Sequence, residues 1–456
     1  MKRWLLAGAF VMAPALGAQS TAIGVQSRKL ANGLEVLVIE NHAVPLVTIE
    51  LDVKNGAYTE GPEYSGLSHL YEHMFFKANK TIPSQEAYLR RLNQLGAQWN
   101  GTTNTEQVNY YITLGVDSLI PGMQFMEDAI RFPLFNQDEL VRERPVVLGE
   151  FDRNEANPFF HMQRGADTLL WSPGFYTRKT AIGVRDVIIS ATQAKMNAIK
   201  NKFYIPNNSA LILSGDITPA RGFALAEQIF GDWPRGANPF ATPAPNPPPM
   251  AKSASVVVEQ PVNGAALFIE WQGPSVTKDP VATYAADLLS TVLASPSSKF
   301  QKRLVDSGLT FGVSFSYFTQ AHVGPISIFL QTTPDKVLAA KKAVMEELAK
   351  VANQPGYITP KELAAAKQQV AIQNLYQREQ ASEYAHTVGF WWTATGNLDY
   401  YRTYVPNMQK VTQADLAQYM KKYVIGKPHA TSLLVSPADT RKYGFTAAQL
   451  TDGGAQ

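Results

Sequence analysis

Ser65-Gly66-Leu67-Ser68-His69-Leu70-Tyr71-Glu72-His73-Met74-Phe75-Phe76-Lys77-Ala78 combines an apolar, helix-like pattern with the polar residues His69, Glu72 and His73. At about 100° per residue, these three side chains fall within an arc of roughly 100° on one helix face. Two imidazoles four residues apart can bind one metal ion, and a carboxylate beside them can reach a water at that ion. We therefore expect a hydrolytic zinc site. The alternative is a helix whose histidines are satisfied by hydrogen bonds, with Glu72 in solvent.

Length and composition indicate a well-packed globular protein of two domains. The chain has 456 residues, of which 45% are hydrophobic and 17% are charged. A single core rarely organises more than about 250–300 residues, so two domains are expected. The net charge of +3 is small for this length. No basic run with interleaved aromatic residues occurs, so nucleic acid is not an expected partner.

The first residues have the pattern of an export signal. Lys2-Arg3 precede an apolar run that ends near Met12, and small residues continue to Ala18. This pattern predicts a signal peptide over residues 1–18, with a buried N-terminal helix as the alternative. No later apolar stretch is long enough to span a bilayer, so we expect no stable membrane insertion. Because cysteine is also absent, we expect no disulfide, thiolate ligand or lipoprotein anchor, and we predict a periplasmic location, with secretion as the alternative.

Two halves of similar pattern lie on either side of a proline-rich segment. Residues 236–252 contain six prolines, which predicts a stiff, extended linker. The sequence therefore predicts two similar α+β domains, each with a mixed or antiparallel sheet and helices packed on one face. The predicted ranges are 26–235, 253–440 and, for a polar tail, 441–456. The second half has no H-x-x-E-H at the equivalent helix, so only the first half is expected to carry the chemistry.

A zinc site with two histidines needs a third protein ligand and one open position. The candidates are many carboxylates and five further histidines, which are His42, His161, His322, His386 and His429. Spacing alone does not choose between them.

The sequence resembles the pitrilysin/insulinase family of zinc peptidases, the inverzincins, whose zinc motif is H-x-x-E-H. The resemblance is carried by His69-x-x-Glu72-His73 and by Glu150, which follows His73 by seventy-seven residues. Asn100-Gly101-Thr102-Thr103 and Tyr204-x-Pro206-Asn207-Asn208 also match, and the likeness spans residues 30 to about 440. It implies a zinc endopeptidase in which His69, His73 and Glu150 bind one zinc ion per chain and Glu72 is the general base.

The same resemblance implies supporting residues around the zinc ligands. Glu143, two helical turns before Glu150, would support the site by orienting a zinc ligand without binding zinc itself. An exposed helix charge is the alternative, and Pro145 between the two glutamates is expected to kink the helix. The segment Asn100–Thr103 would form a sheet edge to which an extended peptide adds as a strand, with an ordinary edge strand as the alternative. Glu106 stands where the family usually has aspartate.

Two residues that complete the family's site are missing from the second half. Family members have an arginine and a tyrosine seven residues apart, which hydrogen-bond the substrate carbonyl and the oxyanion. Leu304 and Phe311 stand at these positions and cannot donate a hydrogen bond, and Arg303 points about 100° away on a helix. We expect a related partner subunit to supply the pair and to close with this chain, like a clamshell, around peptide substrates. The alternatives are Tyr317 or another donor within the chain, or a homodimer.

Two further functions stay open from the sequence. One is a non-catalytic scaffold subunit, against which the complete set of zinc-site residues argues. The other is a dedicated protease for a peptide precursor. Nothing in the sequence separates precursor processing from the general turnover of short, unfolded peptides.

Overall fold

The structure, a computed structural model, describes residues 24–452 and contains one sheet in each half of the chain. The predicted signal peptide lies outside the described residues. The prediction of two similar α+β domains is confirmed. Among the described residues, no helix combines the length and the apolar character that crossing a bilayer requires.

The first domain consists of six strands with helices between them. Its strands are β1 (Val25–Lys29), β2 (Glu35–Glu40), β3 (Leu46–Val53), β4 (Gln98–Thr103), β5 (Val108–Gly115) and β6 (Ser209–Gly215). Its helices are α1 (Leu67–Phe75), α2 (Gln85–Leu95), α3 (Leu119–Arg131), α4 (Gln137–Glu155), α5 (Pro158–Trp171), α6 (Arg185–Ile189), α7 (Gln193–Phe203) and α8 (Pro219–Phe230).

The second domain has five strands. These are β7 (Ala254–Glu259), β8 (Ala265–Gln272), β9 (Gly312–Tyr317), β10 (Pro325–Thr332) and β11 (Ala430–Val435). Its helices are α9 (Pro280–Ala294), α10 (Lys299–Gln301), α11 (Val337–Asn353), α12 (Pro360–Tyr376), α13 (Ala381–Thr395), α14 (Asp399–Lys410), α15 (Gln413–Tyr423), α16 (Pro437–Tyr443) and α17 (Ala447–Asp452). A short π-helical turn, Lys302–Asp306, continues α10.

The two sheets share one topology. The strand order is β1-β2-β6-β3-β5-β4 in the first sheet and β7-β11-β8-β10-β9 in the second. The first sheet has one parallel pair, β2 with β6, and the second sheet has one, β7 with β11. In each sheet, this pair is followed by three antiparallel pairings. Apart from the extra strand β1, the sheets therefore match strand for strand, and β4 and β9 are the corresponding edge strands.

The alternation of β3 explains how the first sheet is covered. Its apolar residues, among them Ile49 and Leu51, are fully buried in the core under the domain's own helices. Because successive side chains point to opposite faces of a strand, Glu50 and Asp52 point to the other face, and both are also fully buried. That second face is therefore covered as well.

One helix from each domain covers the second face of the other domain's sheet. Helix α13 packs against β3 and β6 of the first sheet, and α5 packs against β7, β8 and β11 of the second sheet. On α13, His386 Nδ1 lies 2.5 Å from Glu50 Oε2, and a Cβ added to Gly389 would overlap the Asp52 carboxylate. On α5, Ala166 packs in one cluster with Ala430 of β11. We call α5 and α13 the crossing helices.

The segments predicted as linker and tail both lie against the domains. No helix or strand occurs between α8 and β7, and the Tyr58 hydroxyl donates a hydrogen bond to Pro245 O at 2.7 Å. In the predicted polar tail, Phe445 and Leu450 are buried in the core of the second domain, and α17 packs against β7. The described part of this segment is therefore helical and packed, because its apolar residues reach the second domain's core.

Candidate metal centre and active site

Helix α1 is fixed on its buried side and carries the polar motif on its other side. Leu70, Met74 and other apolar residues of this helix are fully buried. The helix begins after Gly66, whose φ of +91° lies in the left-handed region and whose Cβ, if present, would meet the backbone of a neighbouring loop. The buried Glu60 carboxylate accepts hydrogen bonds from Gly66 N at 2.7 Å and Ser68 N at 2.6 Å. This contact satisfies amides at the start of the helix.

The structure brings His69, His73 and Glu150 together. The Nε2 atoms of the two histidines are 3.3 Å apart. His69 Nε2 lies 3.4 Å from Glu150 Oε2, and His73 Nε2 lies 3.9 Å from Glu150 Oε1. Among the described residues, this is the one group of three or more histidine, cysteine or acidic side chains whose ligand atoms converge, all within 4.8 Å of one another.

These separations fit a zinc ion. Zinc–nitrogen bonds of about 2.0–2.1 Å at tetrahedral angles place two ligand atoms about 3.3 Å apart, and the observed separations of 3.3 Å and 3.4 Å are close to this value. Nitrogen and carboxylate oxygen are the donor types found in catalytic zinc sites, which use three protein ligands and keep one position open. The side chains present here therefore match such a site in number and donor type, and two of the three separations match it in length, while His73 Nε2 lies 3.9 Å from Glu150 Oε1.

Glu143 orients one of the two histidines. His73 Nδ1 donates a hydrogen bond to Glu143 Oε1 at 2.8 Å, which leaves the lone pair of His73 Nε2 free to face His69 and Glu150. Lys77 Nζ contacts the other carboxylate oxygen of Glu143 at 2.6 Å. Burial raises the pKa of Glu143, but the hydrogen bonds from His73 and Lys77 outweigh it and hold the pKa below its usual value.

Helix α4 supplies both glutamates and runs without a break through Pro145. Glu143 and Glu150 are seven residues, or about two turns, apart, so both side chains face α1. The kink expected at Pro145 does not displace Glu143 from His73. The missing amide of the proline is thus accommodated within one continuous helix.

The pKa values of the two histidines are shifted in opposite directions. Burial, and after it the nearby His73, lower the pKa of His69 to about 4, so its ring is neutral at pH 7. For His73, burial lowers the pKa, but the hydrogen bond and charge of Glu143 outweigh burial and raise it. A neutral imidazole is the form that binds metal ions, and His69 has this form without help from a ligand.

Glu72 lies between the histidine pair and β4. Burial raises its pKa, and hydrogen bonds from the side chain and backbone of Thr103 oppose this shift. A Cβ added to Gly101 would lie only 2.9 Å from Glu72 Cγ. The absence of a side chain at position 101 therefore makes room for the Glu72 carboxylate.

The predicted substrate edge is the edge strand of the first sheet. Asn100, Gly101, Thr102 and Thr103 all belong to β4, which among the described strands pairs only with β5. The amide of Gly101 donates to the Asn100 side chain at 2.9 Å, so its strand-pairing capacity is met by a local group. The open edge of β4 and Glu72 are thus neighbours.

Glu106 connects this edge to the second domain. Its carboxylate accepts hydrogen bonds from Ala321 N at 2.6 Å and from His322 Nδ1 at 2.8 Å. The longer side chain of glutamate, where aspartate was expected, therefore reaches the loop between β9 and β10.

The second domain offers no hydrogen-bond donor at the two positions identified from the sequence. Leu304 is fully buried, whereas Phe311, immediately before β9, is 69% exposed. The alternative donor Tyr317 uses its hydroxyl to bond Pro274 O at 3.0 Å within the second domain. Neither the position of Leu304 nor that of Tyr317 leaves a donor free for a substrate.

The other histidines are hydrogen-bonded to groups outside the metal centre. Each of them contacts a carboxylate, a hydroxyl or a backbone carbonyl away from the three converging side chains: His42, His161, His322, His386 and His429. Sequence reasoning overlooked Lys77 and Glu60. Lys77 could have been found, because it follows His73 by four residues.

Both halves of the chain match models of one peptidase family. The model described as Insulinase (Peptidase family M16) matches residues 35–172. The model described as Peptidase M16 inactive domain matches residues 190–370. Together the two matches cover more than half of the chain.

Similar sequences are named as zinc proteases. A protein of Rickettsia felis named "uncharacterized zinc protease" is 23% identical over 426 residues, which are 91% of this chain and 98% of the relative. The zinc protease PqqE of Helicobacter pylori is 26% identical over 371 residues, 77% of this chain and 79% of the relative.

Solved structures share the fold. A protease from Helicobacter pylori matches with a TM-score of 0.80 at 21% identity, over 90% of this chain and 99% of that chain. The periplasmic protease PqqL from Escherichia coli matches with a TM-score of 0.77 at 18% identity, over 93% of this chain and 49% of that chain. The two-domain architecture described above is thus shared across these proteins.

Proposed function

The chain belongs to the insulinase family of peptidases, peptidase family M16, and on that premise we propose that it is the metal-binding, catalytic subunit of a zinc-dependent endopeptidase. The single observation that carries the proposal is the convergence of His69, His73 and Glu150 beside Glu72. In this proposal, one zinc ion per chain is held by His69 Nε2, His73 Nε2 and the Glu150 carboxylate, and Glu143 orients His73. The substrates are short, unfolded peptides.

Glu72 is the group that handles protons in the proposed reaction. A bound zinc ion supplies a Lewis acid that polarises the scissile carbonyl and acidifies water. The Glu72 carboxylate accepts a proton from the attacking water and can deliver it to the nitrogen of the leaving amine. Burial raises the pKa of Glu72, which suits a group that must both accept and release a proton near neutral pH.

The open edge of β4 is the proposed peptide-binding element. A peptide that pairs with Asn100–Thr103 as an added strand would present its backbone beside Glu72. Because backbone hydrogen bonds carry no side-chain information, such recognition tolerates many sequences. The hydrogen bond from Gly101 N to the Asn100 side chain would be exchanged for one to the peptide.

A partner subunit is part of the proposal. Peptide hydrolysis passes through an oxyanion, and removing one oxyanion donor typically costs about 10²–10³-fold in rate. Leu304 and Phe311 cannot supply such a donor, and Tyr317 is engaged by Pro274. A related chain that carries the arginine and tyrosine would complete the site and enclose the substrate like a clamshell, which would select peptides by size.

The proposed location is the periplasm, after export by the N-terminal signal, with secretion as the alternative. Support comes from the pattern of residues 1–18 and from the structural likeness to the periplasmic protease PqqL of Escherichia coli. The alternative functions of a scaffold subunit or a dedicated precursor protease are tested by the experiments below.

The central test compares wild-type protein with Glu72→Gln. We expect about one zinc ion per chain in both proteins by elemental analysis. We expect cleavage of a quenched fluorescent peptide to fall about 10²–10⁴-fold in the variant, because the general base is lost while the zinc ligands stay. Wild-type protein without stoichiometric zinc would favour the scaffold function. A mixed peptide library that yields one product rather than many would favour precursor processing.

The partner is tested by co-expression with a related chain that has the arginine–tyrosine pair but no H-x-x-E-H. We expect a stable complex whose activity is abolished by Glu72→Gln in this chain. Full activity of the isolated chain would refute the need for a partner and leave the zinc assignment in place.

A further inference from the structure

The two histidines of the metal centre are held in different ways. His73 Nδ1 is hydrogen-bonded to Glu143 at 2.8 Å. His69 Nδ1 is buried and makes no hydrogen bond with any of the described residues. Ring orientation at a metal site is normally fixed by a hydrogen bond to the nitrogen that does not bind the metal. In this centre, that control acts through His73 and Glu143 alone.

The Glu143 carboxylate has a second contact that completes this control. Its Oε1 accepts from His73, while its Oε2 lies 2.6 Å from Lys77 Nζ. Two anchors, one on each oxygen, fix both the position and the rotation of a carboxylate. Lys77 follows the end of α1 and is four residues after His73, so the anchors come from one segment and meet a glutamate of α4.

We infer that Lys77 is a positioning residue of the metal centre, which fixes the Glu143 carboxylate so that His73 presents Nε2 to the zinc ion. The inference rests on the proposed function as a zinc peptidase. It assigns Lys77 a role through Glu143, without contact to zinc or substrate.

Burial distinguishes this pair from an ordinary surface ion pair. The side chains of Lys77 and Glu143 are 10% and 7% exposed. Exposed ion pairs contribute little to stability because water screens them. A buried carboxylate left with a single partner, however, has a desolvation cost that is only partly compensated. Without the lysine, the carboxylate would lose its anchor on Oε2 and could turn towards solvent, taking its hydrogen bond with it. His73 would then lose the group that orients its ring.

The test measures zinc affinity, which does not depend on catalysis or on a partner subunit. Metal-free wild-type protein and the variants Lys77→Met, Lys77→Arg, Glu143→Gln and the double variant Lys77→Met/Glu143→Gln are titrated with zinc against a chelating dye. Lys77→Met keeps the length and apolar stem of the side chain but removes its charge. Lys80→Met, at an exposed lysine three residues away, is the matched control. The melting temperature of each metal-free protein is measured in parallel.

We expect Lys77→Met to weaken zinc binding about 10- to 100-fold, as is typical when a group that supports a ligand is lost. Lys77→Arg should retain most of the affinity, and Lys80→Met all of it. In the Glu143→Gln background, Lys77→Met should have little further effect, because both changes break the same chain of contacts.

Three outcomes would overturn the inference alone. These are unchanged zinc affinity in Lys77→Met, additive effects of the two substitutions, and a loss of affinity that only follows a lowered melting temperature of the metal-free protein. Failure of the wild-type chain itself to bind zinc would instead refute the proposed function, and the role of Lys77 with it.

Discussion

Replacing Gly101 by alanine should impair catalysis without removing the metal. The added Cβ would lie 2.9 Å from Glu72 Cγ and 3.2 Å from Phe76 Cε2, whereas carbon atoms rest at about 3.5–4.0 Å. Relief requires Glu72 to move by roughly half an ångström, because Phe76 is packed in the core. A misplacement of about 1 Å can cost about 10²-fold in rate, so we expect kcat to fall about 10-fold or more.

The assay compares cleavage of a quenched peptide by Gly101→Ala and wild type, with any required partner subunit present in both. Zinc content should be unchanged, since the atoms nearest to the new methyl group belong to none of the three ligands. Gly115→Ala is the matched control, because a Cβ there meets nothing within 4 Å. Wild-type kcat in Gly101→Ala would refute the assignment of Glu72 as the base held beside β4. Loss of zinc together with activity would show that the substitution acts on the metal centre instead.

Two further predictions concern stability. Burial raises the pKa of Asp287 from 3.8 to about 6, although Tyr404 donates to it. The native state therefore keeps a proton that the unfolded state releases between these values, so stability falls as pH rises from about 4 to 6. Asp287→Asn should remove this loss of stability, which we expect to be roughly 3 kcal/mol in the free energy of unfolding above pH 6. Denaturant unfolding of variant and wild type at pH 4 and pH 7 measures it. A difference between the two proteins that is equal at both pH values would contradict the prediction. Gly389→Ala should lower the melting temperature, because the added Cβ would overlap the Asp52 carboxylate. Gly149 also lies within a helix but has nothing near its Cβ position, so Gly149→Ala should raise the melting temperature and increase the free energy of unfolding by up to about 1 kcal/mol. Similar shifts in both variants would refute the packing argument.

Periodicity and turn residues determined much of the fold in advance. The strands β3 and β11 are recognisable in the sequence, because both are apolar runs bounded by polar or turn residues. Repetition of the pattern after the proline-rich segment indicated two similar domains. The crossing helices could not be predicted, because α5 and α13 pack on distant parts of the chain and helical periodicity shows only that a helix has a buried face.

The site residues also divide into those that local sequence predicts and those that it does not. The position of His69, Glu72 and His73 on one face follows from the helical repeat alone. Glu150 lies far away in sequence, and only the family resemblance suggested it as a ligand. The four-residue spacing from His73 was a signal for Lys77, but Lys77 was missed because it lies just beyond the end of α1.

The crossing helices also restrict how a peptide can enter. To swing the two halves of this chain apart, α13 would have to leave its buried contacts with β3 and β6, and α5 those with the second sheet. Such a motion would uncover two apolar surfaces and the buried carboxylates Glu50 and Glu270 at once. The two halves therefore behave as one rigid body, and in the proposed complex an opening wide enough for a peptide would form between this chain and the proposed partner subunit.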